Sequence, residues 1–158
     1  MIRIVCVGKV REKFYLQGIQ EYQKRLEGYT KFEIVEVNEQ IIPQHNSEAQ
    51  NEIAKNKEAE ALLAKIGNED IVILLDLHGK SYSSEQMASI LSDCFVRGKS
   101  RIDFVIAGSL GFGEKMIARA DYRWKLSDCT FPHQMVRMSL CEQIYRCFKI
   151  NANEPYHK

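Results

Sequence analysis

Apolar residues fall along this chain in two rhythms. Short runs rich in β-branched residues stand at 2–7, 32–37, 71–75 and 102–107, and in the longer stretches between them apolar positions recur every three or four residues. That alternation predicts an α/β fold, an open sheet with helices on both faces. Within 12–27, Tyr15, Ile19, Tyr22 and Leu26 line one helical face, and Gly28 supplies a stop. After a polar loop from Pro43 to Ser47, the stripe Ala59, Leu62, Leu63 and Ile66 predicts a second helix ending at Gly67. Ser83 or Ser84 is placed to cap a third that runs to Val96, with Glu85 or Gln86 in its first turn.

The last third is less regular. Gly108-Ser109-Leu110-Gly111-Phe112-Gly113 directly follows the predicted strand 102–107 and leads into a helix expected to end near Tyr122. Trp124 to Ser127 reads as a short strand, and Pro132 suits the first position of a helix beginning near His133. A flexible loop at the carboxyl end of a strand is where open α/β sheets gather ligands. This one has neither the G-x-G-x-x-G spacing of a dinucleotide fingerprint nor the Lys-Ser/Thr pair of a P-loop, so neither NAD nor a nucleoside triphosphate is indicated. Taken alone it reads equally well as a plain strand-to-helix turn.

Composition narrows the picture. The 158 residues, 45% hydrophobic and 27% charged, fit a single domain spanning 1–158 whose core needs neither disulfides nor a structural metal. No internal repeat, low-complexity tract or domain linker interrupts it. Cys6, Cys94, Cys129, Cys141 and Cys147 are odd in number and form no CxxC pair, which reads as reduced thiols of a cytoplasmic protein with no metal site. Strand-like sequence follows Met1 at once, so no signal peptide is expected. No apolar run reaches membrane length, so no membrane partner is expected either. The formal charge of +1 gives no general basic footprint, and any RNA contact would have to come from a local patch or from dimerisation. Lys9, Arg11, Lys13, Lys24 and Arg25 could form such a phosphate-binding edge, or simply a solvated face.

The C-terminal helix carries the candidate chemistry. On a helical wheel Val136, Leu140, Ile144 and Cys147 fall in a broad apolar arc continued by Met135, Met138, Cys141 and Phe148, with Ser139, Glu142, Arg146 and Lys149 opposite. His133 and Arg137, one turn apart, point into the apolar arc. A guanidinium on a buried face must be paired or must serve an anionic ligand. Arg137 therefore either crosses a subunit interface to a carboxylate or belongs to a site, and His133 is either a hydrogen-bonded core residue or a catalytic one. Glu142 and Arg146, spaced i,i+4, read first as a surface ion pair. The tail Tyr156-His157-Lys158 combines an aromatic platform, a titratable imidazole and a cation, as an RNA-contacting segment would, yet chain ends commonly fray.

Several blocks resemble one family in order along the chain. Thr130-Phe131-Pro132-His133-Gln134-Met135-Val136-Arg137, then Glu142-Gln143-Ile144-Tyr145-Arg146 and the terminal Pro155-Tyr156-His157-Lys158, are similar to the C-terminal signature of the RlmH family of knotted (SPOUT-class) methyltransferases. Val5-Cys6-Val7-Gly8-Lys9, the turn Leu75-Asp76-Leu77-His78-Gly79-Lys80 and the strand-loop Phe104-Val105-Ile106-Ala107-Gly108-Ser109 resemble its other motifs. The resemblance implies a homodimer with a C-terminal trefoil knot that binds S-adenosylmethionine and methylates N3 of a pseudouridine in large-subunit ribosomal RNA, within the assembled ribosome. Cofactor contacts would then fall at Leu75, Ala107, Gly108 and the run Leu126-Ser127-Asp128-Cys129-Thr130-Phe131, with Ala107 standing where the family usually has a glycine.

Methyl transfer from a sulfonium needs in-line placement of the nucleophile, and a pyrimidine N3 must also lose its proton. His133 or His157 is expected to assist that proton transfer, Arg137 to stabilise the developing anion or orient the base, and Tyr156 and Lys158, with Arg146, to hold the RNA from a partner subunit. Two other readings stand beside this one. A knotted dimer that binds ribosomes without turnover would need a blocked cofactor pocket. A small α/β enzyme using the glycine loop as an anion nest would act on free nucleotides or phosphorylated metabolites.

Overall fold

The computed structural model describes residues 1–158. Five parallel strands, β1 (Ile2–Val7), β2 (Phe32–Val37), β3 (Ile71–Ser81), β4 (Ile102–Ile106) and β5 (Tyr122–Lys125), form one sheet in the order β2-β1-β4-β3-β5. The helices are α1 (Lys13–Leu26), α2 (Glu48–Leu63), α3 (Ser84–Val96), α4 (Glu114–Arg119) and α5 (His133–Asn151). Parallel strands covered on both faces should be apolar on both, and β1 and β4 are buried at every position. Alternate residues divide between two cores: Ile2, Ile4, Ile73 and Phe104 pack beneath α1, α3 and α5, while Val5, Val72, Leu74 and Val105 pack against α2 and α4.

Local chemistry explains the helix starts. Ser47 and Ser83 each accept a backbone N–H three residues on, and Gln50 and Gln86 reach back to the serines' own N–H groups, giving two capping boxes. The sheet itself buries one ionic group, Arg3, whose guanidinium meets Asp103 at 2.7 and 2.8 Å and Asp70 at 3.4 Å. That pairing lets two carboxylates and a cation sit in the interior.

Several expected boundaries move, among them that of the helix expected to reach Gly67, which ends at Leu63. β3 does not stop at Leu75: residues 76–79 bulge out, and Lys80 and Ser81 rejoin the ladder against Trp124 and Lys125. The helix expected to reach Tyr122 ends at Arg119, because the Asp121 carboxylate takes the Val72 N–H at 2.8 Å and its own N–H donates to the Val72 carbonyl, steering Tyr122 into β5. The short strand accordingly spans 122–125 rather than 124–127. Pro132 is the cap residue of α5 rather than its first helical position.

Candidate active site

The carboxyl ends of β3, β4 and β5 open onto one cavity of about 250 Å3, the location expected for a ligand on a sheet of this kind. Its walls come from the 75–78 bulge, the 106–112 loop, the 126–131 segment and the first turn of α5. The bulge is fixed by Asp76, which accepts from Arg123 Nε at 2.8 Å and from the His78 N–H at 2.9 Å. Gly79 lets β5 close on it: a methyl there would stand 2.5 Å from the Arg123 carbonyl oxygen. Trp124 forms the buried floor, its indole N–H donating to the Tyr82 carbonyl at 3.1 Å.

Of the nine residues expected to hold a cofactor, eight line this cavity: Leu75, Ala107, Gly108, Leu126, Ser127, Cys129, Thr130 and Phe131. Asp128 does not, because its exposed carboxylate turns outward to Lys125 Nζ at 2.6 Å. Within the 108–113 loop the Gly111 N–H donates to the Gly108 carbonyl at 3.1 Å, closing a turn at the cavity's edge. A mostly apolar cavity with a few polar groups in its walls is the usual form of a small-molecule site. No set of three or more His, Cys, Asp or Glu side chains is placed to hold a metal ion.

The candidate catalytic residues part company. His133 lies at the cavity rim and is exposed, not turned into the apolar core as the wheel predicts. It is the first residue of α5 and borders the open cavity, so a core-facing angle does not bury it. Arg137 is buried, but in a separate groove with Lys9 and Leu16, where it donates to Glu36 Oε1 at 2.6 Å and to the Gly8 carbonyl at 3.1 Å. Its carboxylate partner is thus within the chain. Arg137 Nε is buried without a partner.

The tail is packed rather than frayed. Tyr156 stacks edge-on against Tyr145, lies 4.8 Å from the Arg146 guanidinium and donates to Glu142 at 3.0 Å. Glu142 and Arg146, half-buried and 2.5 Å apart, are therefore not a free surface pair but the base of this clamp. His157 sits between Arg146 at 3.2 Å from Nδ1 and Glu85 at 2.7 Å from Nε2. A guanidinium only donates and a carboxylate only accepts, so Nδ1 accepts from Arg146 and Nε2–H donates to Glu85. Lys158 is exposed. Thirteen residues separate Arg146 from His133 on one helix, about 20 Å of rise, so Tyr156 and His157 cannot reach the cavity of their own chain from these contacts.

The sequence pattern has no separate signal for Phe112 or Val136 as cavity residues, while Asp76 and His78 lie in the 75–80 motif without an assigned role. Glu58, which lies behind Gly108 and not in the cavity wall, has a legible signal: it occupies the core-facing spacing Ala54, Glu58, Leu62 of α2 and is buried with them.

Residues 1–157 match the family described as predicted SPOUT methyltransferase. Ribosomal RNA large subunit methyltransferase H of Clostridioides difficile (strain 630) is 48% identical over 157 residues, covering 99% of each chain. The protein of the same name from Desulfitobacterium hafniense (strain Y51) is 46% identical over 157 residues, covering 99% of this chain and 98% of its own. Among solved structures, a probable methylase family protein from Haemophilus influenzae Rd KW20 aligns with a TM-score of 0.52 over 99% of this chain and 70% of that one; at 15% identity the likeness is one of fold.

Proposed function

The chain belongs to the SPOUT methyltransferase family and, within it, to the ribosomal RNA large subunit methyltransferase H group, and from that membership we propose that it is an S-adenosylmethionine-dependent methyltransferase of large-subunit ribosomal RNA. Its target is N3 of a pseudouridine, reached in the cytoplasm on assembled ribosomes. The observation that carries the reading is the convergence of the 75–78, 106–112 and 126–131 segments on one cavity. The trefoil knot implied by the resemblance belongs to the same proposal.

When bound, S-adenosylmethionine supplies an electrophilic methyl group on a sulfonium. Leu75, Ala107, Gly108, Leu126, Ser127, Cys129, Thr130 and Phe131 would hold it, and a donor seated among them would present its methyl group to the nucleophile from a fixed side. Asp128 holds Lys125 at the edge of the segment. His133 accepts the N3 proton, a role supported by its exposure at the rim of the cavity. Arg137 positions it: by tying α5 to β1 and β2 through Glu36 and Gly8, it sets the helix turn that carries His133.

Tyr156, His157, Lys158 and Arg146 act on the RNA from the second subunit of a homodimer. The 20 Å or so between their clamp and the rim of the same chain is what supports this assignment. The near-neutral charge favours recognition of RNA shape over bulk attraction.

The test is transfer of labelled methyl from S-adenosylmethionine to intact ribosomes lacking the modification, beside naked RNA and separated subunits. Label in large-subunit RNA of assembled ribosomes is the expected result. No label in any sample, together with no donor binding, would favour the non-catalytic dimer, and activity on free nucleotides would favour the small-molecule enzyme.

A further inference from the structure

α2 places one charged side chain against the loop that roofs the cavity. Glu58 is 3% exposed. Its Oε1 accepts the Gln40 N–H at 2.9 Å, whereas Oε2 is buried without any hydrogen-bond partner. That free oxygen lies directly under Gly108, where a methyl group would come within 2.5 Å of it. Gly108 in turn lines the cavity. A carboxylate oxygen left without a donor in the interior is costly, so its retention calls for a compensating charge. Burial raises the Glu58 pKa, and the Glu39 carboxylate adds to the rise, against the opposing Gln40 N–H and the nearby His133. The other carboxylates in the cavity's own segments are already committed, Asp76 to Arg123 and Asp128 to Lys125.

We propose that Glu58 is a positioning residue that makes the cavity selective for a cationic adenosyl ligand over its neutral counterpart, acting through Gly108 with no side chain interposed. The inference rests on the methyl-donor reading of the cavity. A sulfonium donor carries a positive charge that its thioether product lacks, so a fixed negative charge in a poorly screened interior attracts the one and is indifferent to the other. Loss of the methyl group then removes the attraction and favours release of the spent ligand. The two adjacent positions differ in the same sense: the Ala107 side chain is accommodated and buried, whereas one at 108 would collide with the carboxylate.

Calorimetric titration of S-adenosylmethionine and S-adenosylhomocysteine into wild type, Glu58→Gln and Glu58→Met at pH 8 separates charge from shape. The ratio of product to donor dissociation constants should fall by about tenfold in either folded variant, as expected for removal of one charge at near range. General damage to the loop weakens both ligands together. An unchanged ratio, or parallel loss of both ligands in the variants, overturns the proposal. Failure of wild type to bind either ligand would instead remove the methyl-donor reading beneath it.

Discussion

Substituting Gly108 by Ala introduces a methyl group 2.5 Å from Glu58 Oε2, inside any real carbon–oxygen contact, so either the carboxylate or the loop must move. Glu58 cannot swing freely, because its other oxygen holds the Gln40 N–H and the side chain is buried within α2 packing. Overpacking of this kind costs about 2 kcal/mol. Glu58→Ala by itself strands the Gln40 N–H and leaves a void, a loss of about 1–2 kcal/mol. In the double variant the new methyl occupies space that the carboxylate has vacated. The combined loss should therefore fall short of the sum by about 1–2 kcal/mol. Urea unfolding followed by circular dichroism, with the slope held common among the four proteins, reads this coupling directly. Ala107→Gly, where the methyl is already housed, is the control and should change stability by less than about 1 kcal/mol. Additive losses within about 0.5 kcal/mol would refute the Glu58–Gly108 contact, as would a Gly108→Ala protein as stable as wild type.

Other consequences are as concrete. Arg137→Ala leaves Glu36 and the Gly8 carbonyl without their donor; because Glu36 is partly exposed the stability loss should be about 2 kcal/mol, with methyl transfer to ribosomes reduced at least about tenfold, and full turnover would remove its assigned role. Glu85 is held down to about 2 by hydrogen bonds from its own backbone N–H, His157 and Ser83. A lowered carboxyl pKa contributes stability present above its ordinary value and lost as pH falls toward 2, so its NMR titration midpoint should rise in His157→Ala, and an unmoved midpoint would show that the tail contact is absent. Of the five thiols, Cys129 alone is exposed, whereas burial pushes Cys6, Cys141 and Cys147 up to about 12 and raises Cys94. One thiol per chain should react rapidly with a disulfide reagent, and S-adenosylmethionine should protect it because Cys129 lines the cavity; equal labelling with and without donor would argue against that placement.

The two sequence rhythms carry most of the architecture. Strands at 2–7 and 32–37 appear where β-branched runs predict them, and the Ser83 cap is legible because Gln86 follows at capping-box spacing. What a local pattern misses is decided by pairing across the chain. The run at 71–75 ends in polar residues, and only β5, closing over Gly79, returns Lys80 to the sheet. The helix after the glycine loop is expected to run to Tyr122, yet the Asp121 bonds to Val72 make Tyr122 the first residue of a strand. The wheel assigns Glu142 and Arg146 to solvent because it cannot represent the tail that folds back over them. Family motifs, rather than periodicity, gather Leu75, Ala107, Gly108 and 126–131 around one cavity, with Asp128 the exception. Glu58 shows the reverse case, a carboxylate on an apolar stripe whose spacing alone signals a buried charge.

The most direct test of the central claim is mass-spectrometric identification of the nucleoside that gains a methyl group when this chain and S-adenosylmethionine are incubated with ribosomes lacking the modification. Digestion of the large-subunit RNA should yield one new species, a pseudouridine methylated at N3, absent when donor is omitted. A methyl group on another nucleoside, on small-subunit RNA, or on none would contradict the account.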